Sequence, residues 1–145
     1  KTLGALDPTV GRETVDGASD LRTRFPLALI TRKQQIAFLN SSYGGFPDHQ
    51  PASREPILQV HPVDAQDRGI TDGSRVRVHN DRGSLTLTAR LSTDLQPGLV
   101  ALPFGWWNAG TSAGRAANVL TNARVRADDG GSAFFHDTLV EIALV

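Results

Sequence analysis

The most constraining feature of the sequence is a pair of alternating segments on either side of a short turn. Within residues 74–80, Val76 and Val78 alternate with Arg and His side chains, and within residues 85–91 apolar side chains alternate with Thr and Arg side chains. The apolar positions are Val76, Val78, Leu85, Leu87, Ala89 and Leu91. A period of two is that of a strand with one buried face. With Gly83 in the turn between them, the two segments predict an antiparallel hairpin.

Four further segments have the composition of short strands. They are residues 25–31, 57–60, 99–102 and 138–144. Two of them are continuous apolar runs, typical of strands buried on both faces. Together with the hairpin they give six short strands, which is more typical of a β-barrel than of a doubly wound sheet. We therefore predict a mainly β fold with a six-stranded barrel at its centre.

Residues 62–68 are predicted to form a short helix within this β fold. Pro62 suits the first helical position, Asp64 lies near the positive end of the helix dipole, and Gly69 can end the helix in a left-handed conformation.

The 145 residues fit one domain with an appended arm. Residues 1–24 show no sustained period and are predicted to be a linker or an N-terminal arm, and residues 25–145 are predicted to be the domain. Within the domain, residues 41–56 contain three prolines and predict a long surface loop, a kind of loop that is often functional.

Composition excludes several classes of function. The 15 basic and 15 acidic residues balance, which argues against a nucleic-acid partner. No apolar run approaches the ~20 residues that cross a bilayer, so we expect no membrane insertion and a soluble chain, with the cytoplasm slightly favoured. The absence of Cys excludes thiolate metal sites and iron–sulfur ligation in this chain. The absence of Met predicts a piece of a longer polypeptide.

Five groups of residues, in order along the chain, carry a resemblance to a known family. They are residues 29–32 with 38–41, 61–78, 95–107, 117–121 and 135–142. Together they resemble the molybdopterin dinucleotide-binding domain that ends enzymes of the dimethyl sulfoxide reductase family, which includes nitrate reductases and formate dehydrogenases. The resemblance implies a double-psi β-barrel of the aspartate decarboxylase-like type, with one or two short helices.

The resemblance also implies a cofactor and a partner. The cofactor is bis(molybdopterin guanine dinucleotide), in which two pterins chelate molybdenum or tungsten, and it is bound together with the remaining domains of the same polypeptide. Any protein ligand to the metal comes from another domain. This chain is therefore expected to bind and orient the cofactor, to contribute no catalytic residue and no metal ligand, and to be inactive alone.

The residues that match the family's cofactor contacts can bind such a ligand. They are Thr31, Arg32, Asn40, Ser41, Trp106, Asn118, Thr121, His136, Asp137 and Thr138. An Asn side chain donates and accepts in one plane, as the edge of a pterin requires. A guanidinium forms charge-assisted bonds to a pyrophosphate, and an indole offers a flat face for stacking.

Four of these assignments have an alternative. Asn118 could cap a short helix, Asn40 could stabilise a turn, and Arg32 could be a solvated charge after a buried strand. Trp107 could face the ligand in place of Trp106.

Two other functions are compatible with parts of the sequence. Residues 110–114 have the Gly-x-Ser-x-Gly spelling of a nucleophile elbow around Ser112, and Asp128 or Asp129 and His136 follow in the order of a hydrolase triad. The elbow needs a strand–turn–helix setting that the surrounding sequence does not predict. The second alternative is a non-enzymatic double-psi barrel that binds protein partners. The four histidines have no short metal-ligand spacing, which argues against a protein-ligated metal.

Overall fold

The computed structural model describes residues 19–33, 55–105, 116–121 and 136–145. Six strands lie within these ranges: β1 Leu27–Arg32, β2 Ile57–Val60, β3 Arg75–His79, β4 Ser84–Leu91, β5 Leu99–Pro103 and β6 Leu139–Leu144. Two α-helices and one 3₁₀ helix accompany them: α1 Ser19–Arg24, α2 Pro62–Gln66 and the 3₁₀ helix Ala117–Val119.

The six strands close into a barrel in the order β1-β5-β2-β4-β3-β6. The pairs β1–β5 and β2–β4 are parallel, and the other pairs are antiparallel. The hairpin predicted from alternation is the β3–β4 pair, with Val76 opposite Leu87 and Val78 opposite Leu85. The predicted mainly β fold, the six-stranded barrel and the accompanying short helices are thus confirmed.

Apolar side chains from alternate strand positions fill the barrel. The alternation predicted for β3 and β4 is the burial pattern observed along both strands. The largest fully buried side chains are Leu27, Leu29, Leu58, Leu87, Leu102, Leu120, Leu139, Ile142, Val60, Val76, Val78 and Val100. Burying one such side chain contributes about 1.5–3 kcal/mol, so this interior is the main source of stability.

Helix α2 begins as the sequence predicts and ends earlier. His61 is the N-cap residue, and its Nδ1 accepts a hydrogen bond from the Val63 amide at 3.2 Å. The helix ends at Gln66 rather than at residue 68, because the Arg68 amide donates to the carbonyl three residues back, at 3.1 Å. These tighter bonds form a turn that ends at Gly69, whose φ of 65° is the predicted left-handed cap.

Polar contacts attach the α2 region to the barrel. The Asp64 Oδ2 accepts from the Gly98 amide, just before β5, at 2.8 Å. Arg68 donates to both carboxylate oxygens of Glu141 on β6, from Nε at 2.5 Å and from Nη2 at 3.2 Å, and to the Asp64 carbonyl at 3.0 Å. We call the four residues Asp64, Arg68, Gly98 and Glu141 the α2 clasp.

Helix α1 lies within the segment that the sequence predicts as an irregular arm. Arg24 donates to both carboxylate oxygens of Asp81, at 2.7 and 2.9 Å, and its guanidinium lies 4.9 Å from the centroid of the Phe25 ring. Phe25 in turn meets His79 edge to face, with ring centroids 6.0 Å apart. A helix of six residues is not stable alone, so these tertiary contacts account for it. The domain boundary at residues 24 and 25 stays a prediction.

Candidate functional site

The candidate site begins where the parallel neighbours β1 and β5 end side by side. Arg32 lies opposite Pro103, and its carbonyl accepts from the Phe104 amide at 3.0 Å. The next residue, Gly105, has a φ of 86°, a conformation that a residue with a Cβ rarely adopts. The chain therefore turns sharply at this position, directly before Trp106.

Residues 136–138 continue alongside β1 in the antiparallel direction. The Leu29 amide donates to the Thr138 carbonyl at 2.8 Å, and the Thr31 amide donates to the His136 Nδ1 at 3.2 Å. A nitrogen that accepts from an amide cannot itself carry a proton, so the ring proton lies on Nε2. The exposed His136 ring therefore has a donor available to a ligand.

Two buried donors at this edge have no hydrogen-bond partner among the described residues. They are the hydroxyl of Thr138, a residue that is 0% exposed, and the Nε of Arg32. The great majority of buried polar atoms in proteins are hydrogen-bonded, and leaving one without a partner costs about 1–3 kcal/mol. Acceptor atoms of a bound ligand would satisfy either group, which is the observation that best fits a cofactor at this position.

The structure thus brings five of the predicted cofactor contacts together. Thr31, Asp137 and Thr138 are buried, Arg32 is half-buried and His136 is exposed. We call these five residues the binding edge. The Arg32 Nε is buried although the residue is half-buried, which a fully solvated charge would not show; the role of Arg32 as a cofactor contact stays a prediction.

Two further predicted contacts lie on or beside the 3₁₀ helix. Asn118 is its second residue and is exposed, and Thr121 follows it, with its hydroxyl donating to the Asn118 carbonyl at 3.3 Å. The N-cap residue of this helix is Ala116, which has no side-chain capping bond. Because Asn118 lies inside the helix, the alternative that it caps the helix is wrong.

Sequence reasoning missed the residue that joins these two parts of the site. The Asn80 Nδ2 donates to the carbonyl of Leu120 at 2.9 Å and to that of Leu139 at 3.1 Å. Leu120 follows the 3₁₀ helix, and Leu139 follows Thr138. The only local signal was an Asn at the start of a Gly-containing turn, which predicts a turn and no long-range contact.

The remaining predicted residues lie outside the described ranges. These are Asn40, Ser41 and Trp106 among the cofactor contacts, the neighbouring Trp107, and Ser112, Asp128 and Asp129 of the hydrolase alternative. Within the described ranges, no three His, Asp or Glu side chains are grouped so that they could hold a metal ion. The helices of the same ranges include none with the length and apolar character needed to span a membrane.

Comparison with solved structures supports the fold. Acetylene hydratase from Pelobacter acetylenicus superposes with a TM-score of 0.68 over 88% of this chain and 19% of its own chain, at 20% sequence identity. At that identity the likeness concerns the fold alone.

Comparison with known sequences identifies the family. A putative catalytic chain of dimethyl sulfoxide reductase from Halobacterium salinarum is 36% identical over 118 residues, which are 81% of this chain and 14% of the relative. Dimethyl sulfoxide reductase DmsA of Escherichia coli is 35% identical over 108 residues, 72% of this chain and 13% of the relative. The chain thus spans about a seventh of the length of these relatives.

A family model described as the molydopterin dinucleotide binding domain matches residues 27–139. This match covers every described strand of the barrel except most of β6, and it includes all ten predicted cofactor contacts. It supports the cofactor-binding interpretation over the adaptor and hydrolase alternatives. In the two relatives named above, the matching segment is part of a larger enzyme of the dimethyl sulfoxide reductase type. The chain therefore belongs to the molydopterin dinucleotide binding domain family.

Proposed function

We propose that this domain holds bis(molybdopterin guanine dinucleotide), the cofactor of a molybdenum or tungsten oxidoreductase, as the C-terminal part of a longer polypeptide whose remaining domains enclose the other faces of the cofactor. The observation that carries the proposal is the pair of buried donors without described partners, the Arg32 Nε and the Thr138 hydroxyl, in a chain of a cofactor-binding family.

Three residues of the binding edge have groups suited to part of such a ligand. The Arg32 guanidinium is the group for a pyrophosphate, because it donates two parallel charge-assisted bonds. The Thr138 hydroxyl and the His136 Nε2 are short-range donors to acceptor atoms of a dinucleotide. Asn118, exposed on the 3₁₀ helix, presents a carboxamide that can pair with the edge of a pterin.

The domain's own contribution is binding and orientation. The dithiolene-held metal supplies the electron-transfer chemistry when the cofactor is bound. The residues of this chain hold the pterins and, through the hydrogen bonds they donate, fix their position relative to the rest of the enzyme. We expect the isolated chain to catalyse no oxidation or reduction, and we assign the choice of substrate to the remaining domains.

The composition of the bound cofactor tests the proposal directly. The full-length enzyme that contains this domain is purified with its cofactor and analysed for molybdenum and tungsten by mass spectrometry, for pterin by fluorescence after oxidation, and for nucleotide after acid hydrolysis. We expect one of the two metals, with two pterins and two guanine nucleotides for each metal ion. A protein purified without pterin would overturn the proposal, and a different nucleotide would overturn its guanine part.

The variant Asn118→Ala tests whether the 3₁₀ helix contributes to binding. A carboxamide that donates and accepts is replaced by a methyl group, and losing such a contact costs about 1–3 kcal/mol of binding free energy. We expect the thermal midpoint of the cofactor-free protein to be unchanged, because the exposed side chain makes no described hydrogen bond, whereas pterin and metal content fall together. An unchanged pterin content would remove Asn118 from the site.

A further inference from the structure

The turn between β3 and β4 contains a side chain whose hydrogen-bonding capacity is fully used. The Asn80 Nδ2 donates to the Leu120 and Leu139 carbonyls at 2.9 and 3.1 Å. Its Oδ1 accepts from the amides of Arg82 at 3.0 Å and Gly83 at 3.3 Å. A carboxamide has two donor hydrogens and two acceptor lone pairs, so all four positions are occupied.

Two neighbours of Asn80 also contact the segment that carries the 3₁₀ helix. The Arg82 Nε donates to the same Leu120 carbonyl at 2.7 Å. A Cβ built on Gly83 would lie 2.9 Å from the Val119 carbonyl oxygen, closer than side chains normally approach a backbone atom. The turn therefore fits against the helix closely, and at Gly83 there is room only for glycine.

The two carbonyls bound by Asn80 belong to the two separate parts of the candidate site. Leu120 lies between Asn118 and Thr121, and Leu139 directly follows Thr138. Residues 122–135 separate the two parts along the chain and lie outside the described residues. The Asn80 carboxamide is thus a direct bridge between the 3₁₀ helix and the strand that begins next to the binding edge.

We propose that Asn80 is a positioning residue for the cofactor: its carboxamide holds the 3₁₀ helix that carries Asn118 at a fixed place relative to Thr138, so that both parts of the site bind one ligand. The inference rests on the proposed function. Asn80 itself contacts backbone carbonyls and not the cofactor.

The chemistry of the bridge requires an amide side chain. An Asp at position 80 keeps the acceptor for the Arg82 and Gly83 amides but places a carboxylate oxygen against two carbonyl oxygens, without a hydrogen to share. An Ala removes both donors and leaves the two carbonyls without this partner. We therefore expect Asn80→Asp to release the helix at least as fully as Asn80→Ala.

The first experiment measures the bridge without the cofactor. Hydrogen–deuterium exchange is followed in the cofactor-free protein for peptides that cover residues 116–121 and 136–139. In Asn80→Ala and Asn80→Asp we expect exchange to become faster in both peptides, by about fivefold, the factor that corresponds to losing one hydrogen bond of average net strength. The matched control is Asp81→Asn, a change in the same turn that removes the charge of the exposed pair with Arg24 and keeps the Asn80 carboxamide; it should leave both peptides unchanged. Unchanged exchange in the Asn80 variants would overturn the bridge.

The second experiment asks whether Asn80 matters beyond stability. Pterin content and thermal midpoint are measured in the full-length enzyme for Asn80→Ala and for Ile142→Val, which trims a buried side chain of β6 and leaves the Asn80 carboxamide in place. We expect Asn80→Ala to lower pterin content several-fold more than Ile142→Val does for the same fall in midpoint. Equal loss of pterin at equal midpoint would make Asn80 merely structural and overturn its positioning role.

Gly83→Ala gives an independent variant in case Asn80 variants do not fold. It leaves the carboxamide in place but pushes on the Val119 carbonyl, so the helix shifts and pterin content should again fall more than stability predicts. Normal pterin content with a folded Gly83→Ala protein would count against the inference. Absence of pterin from the unaltered protein would overturn the proposed function itself, whereas pterin in that protein with unchanged exchange in the variants overturns the positioning role alone.

Discussion

The α2 clasp and the binding edge both contain polar side chains in buried or half-buried surroundings. They differ in whether those side chains have hydrogen-bond partners within the described residues. In the clasp, Asp64 and Arg68 have partners within the chain, on Gly98 and Glu141. In the binding edge, the Arg32 Nε and the Thr138 hydroxyl have none among the described residues. Buried polar groups that are paired internally stabilise a fold, whereas donors left without a partner indicate a place for a ligand.

The largest effect on stability is expected at Asp64. Asp64→Ala removes the acceptor of the Gly98 amide and leaves that half-buried donor without its partner, which costs about 1–3 kcal/mol. At this chain length we expect the thermal midpoint to fall by several degrees. Asp67→Ala, three residues on at an exposed position, is the matched control and should change the midpoint little. If both variants unfold at the same temperature, the clasp does not stabilise the barrel as described.

The ion pair between Arg68 and Glu141 should have a smaller effect. Its side chains are 18% and 25% exposed, so solvent screens the pair in part, and Arg68→Ala should cost about 1–2 kcal/mol, between surface and buried pairs. Replacing both members, in Arg68→Met with Glu141→Leu, should restore most of the midpoint, because no half-buried charge is left without a partner. A double variant as unstable as the single one would show that the pair contributes more than packing can replace.

Low pH should lower the stability of the folded chain by less than the loss of the Arg68–Glu141 pair does. The group responsible is His79, which lies opposite Glu141 in the β3–β6 pair. Burial, and then the positive charge of Arg77, lower the pKa of His79 below its ordinary value of about 6.5, although Glu141 acts in the opposite direction. The folded state therefore binds fewer protons at His79 than the unfolded state does. This contribution to stability is complete above the unfolded pKa and is lost as the pH falls from there through the folded pKa.

The variant His79→Phe tests this pH dependence. It keeps an aromatic ring against Phe25 and removes the titrating group. We expect the unaltered protein to lose more stability than His79→Phe between pH 7 and pH 5, measured by chemical denaturation at each pH. Parallel pH profiles for the two proteins would contradict the depressed pKa.

The smallest effect on stability, and the sharpest contrast with Asp64, is expected at Thr138. Thr138→Val replaces a buried hydroxyl that has no described partner by a methyl group of similar size, so the cofactor-free protein should change by no more than about 0.5 kcal/mol or become slightly more stable. Pterin content should nevertheless fall. Thr86→Val on β4, outside the binding edge, is the matched control for pterin content. A large loss of stability in the cofactor-free Thr138→Val protein would mean that the Thr138 hydroxyl has a hydrogen-bond partner within the chain.

The parts of the fold that the sequence predicted correctly depend on short-range patterns. Alternation identified β3 and β4, and Pro62 and Gly69 identified the beginning of α2 and the turn that ends it, because strand period and helix capping are properties of neighbouring residues. Helix α1 was missed because its six residues have no amphipathic period and depend on contacts with Asp81 and the barrel.

For the candidate site, the residue types were predicted from a resemblance, and their arrangement was not predicted. The five residues of the binding edge come from two segments of the chain, and Thr31 contacts His136 across 105 positions of sequence. No local pattern distinguishes Asn80 from any other turn asparagine, and its two carbonyl partners lie 40 and 59 positions away.

The sequence by itself determined the strands, the hairpin, the start of α2 and the chemical types of side chain available to a cofactor, since each of these follows from residues within a few positions of one another. Only the tertiary structure decided which polar groups are paired and which have no partner among the described residues. Closure of the barrel brings β1 beside β6 and the β3–β4 turn beside the 3₁₀ helix. Whether a buried hydroxyl or guanidinium has a hydrogen-bond partner depends on which groups that closure places next to it.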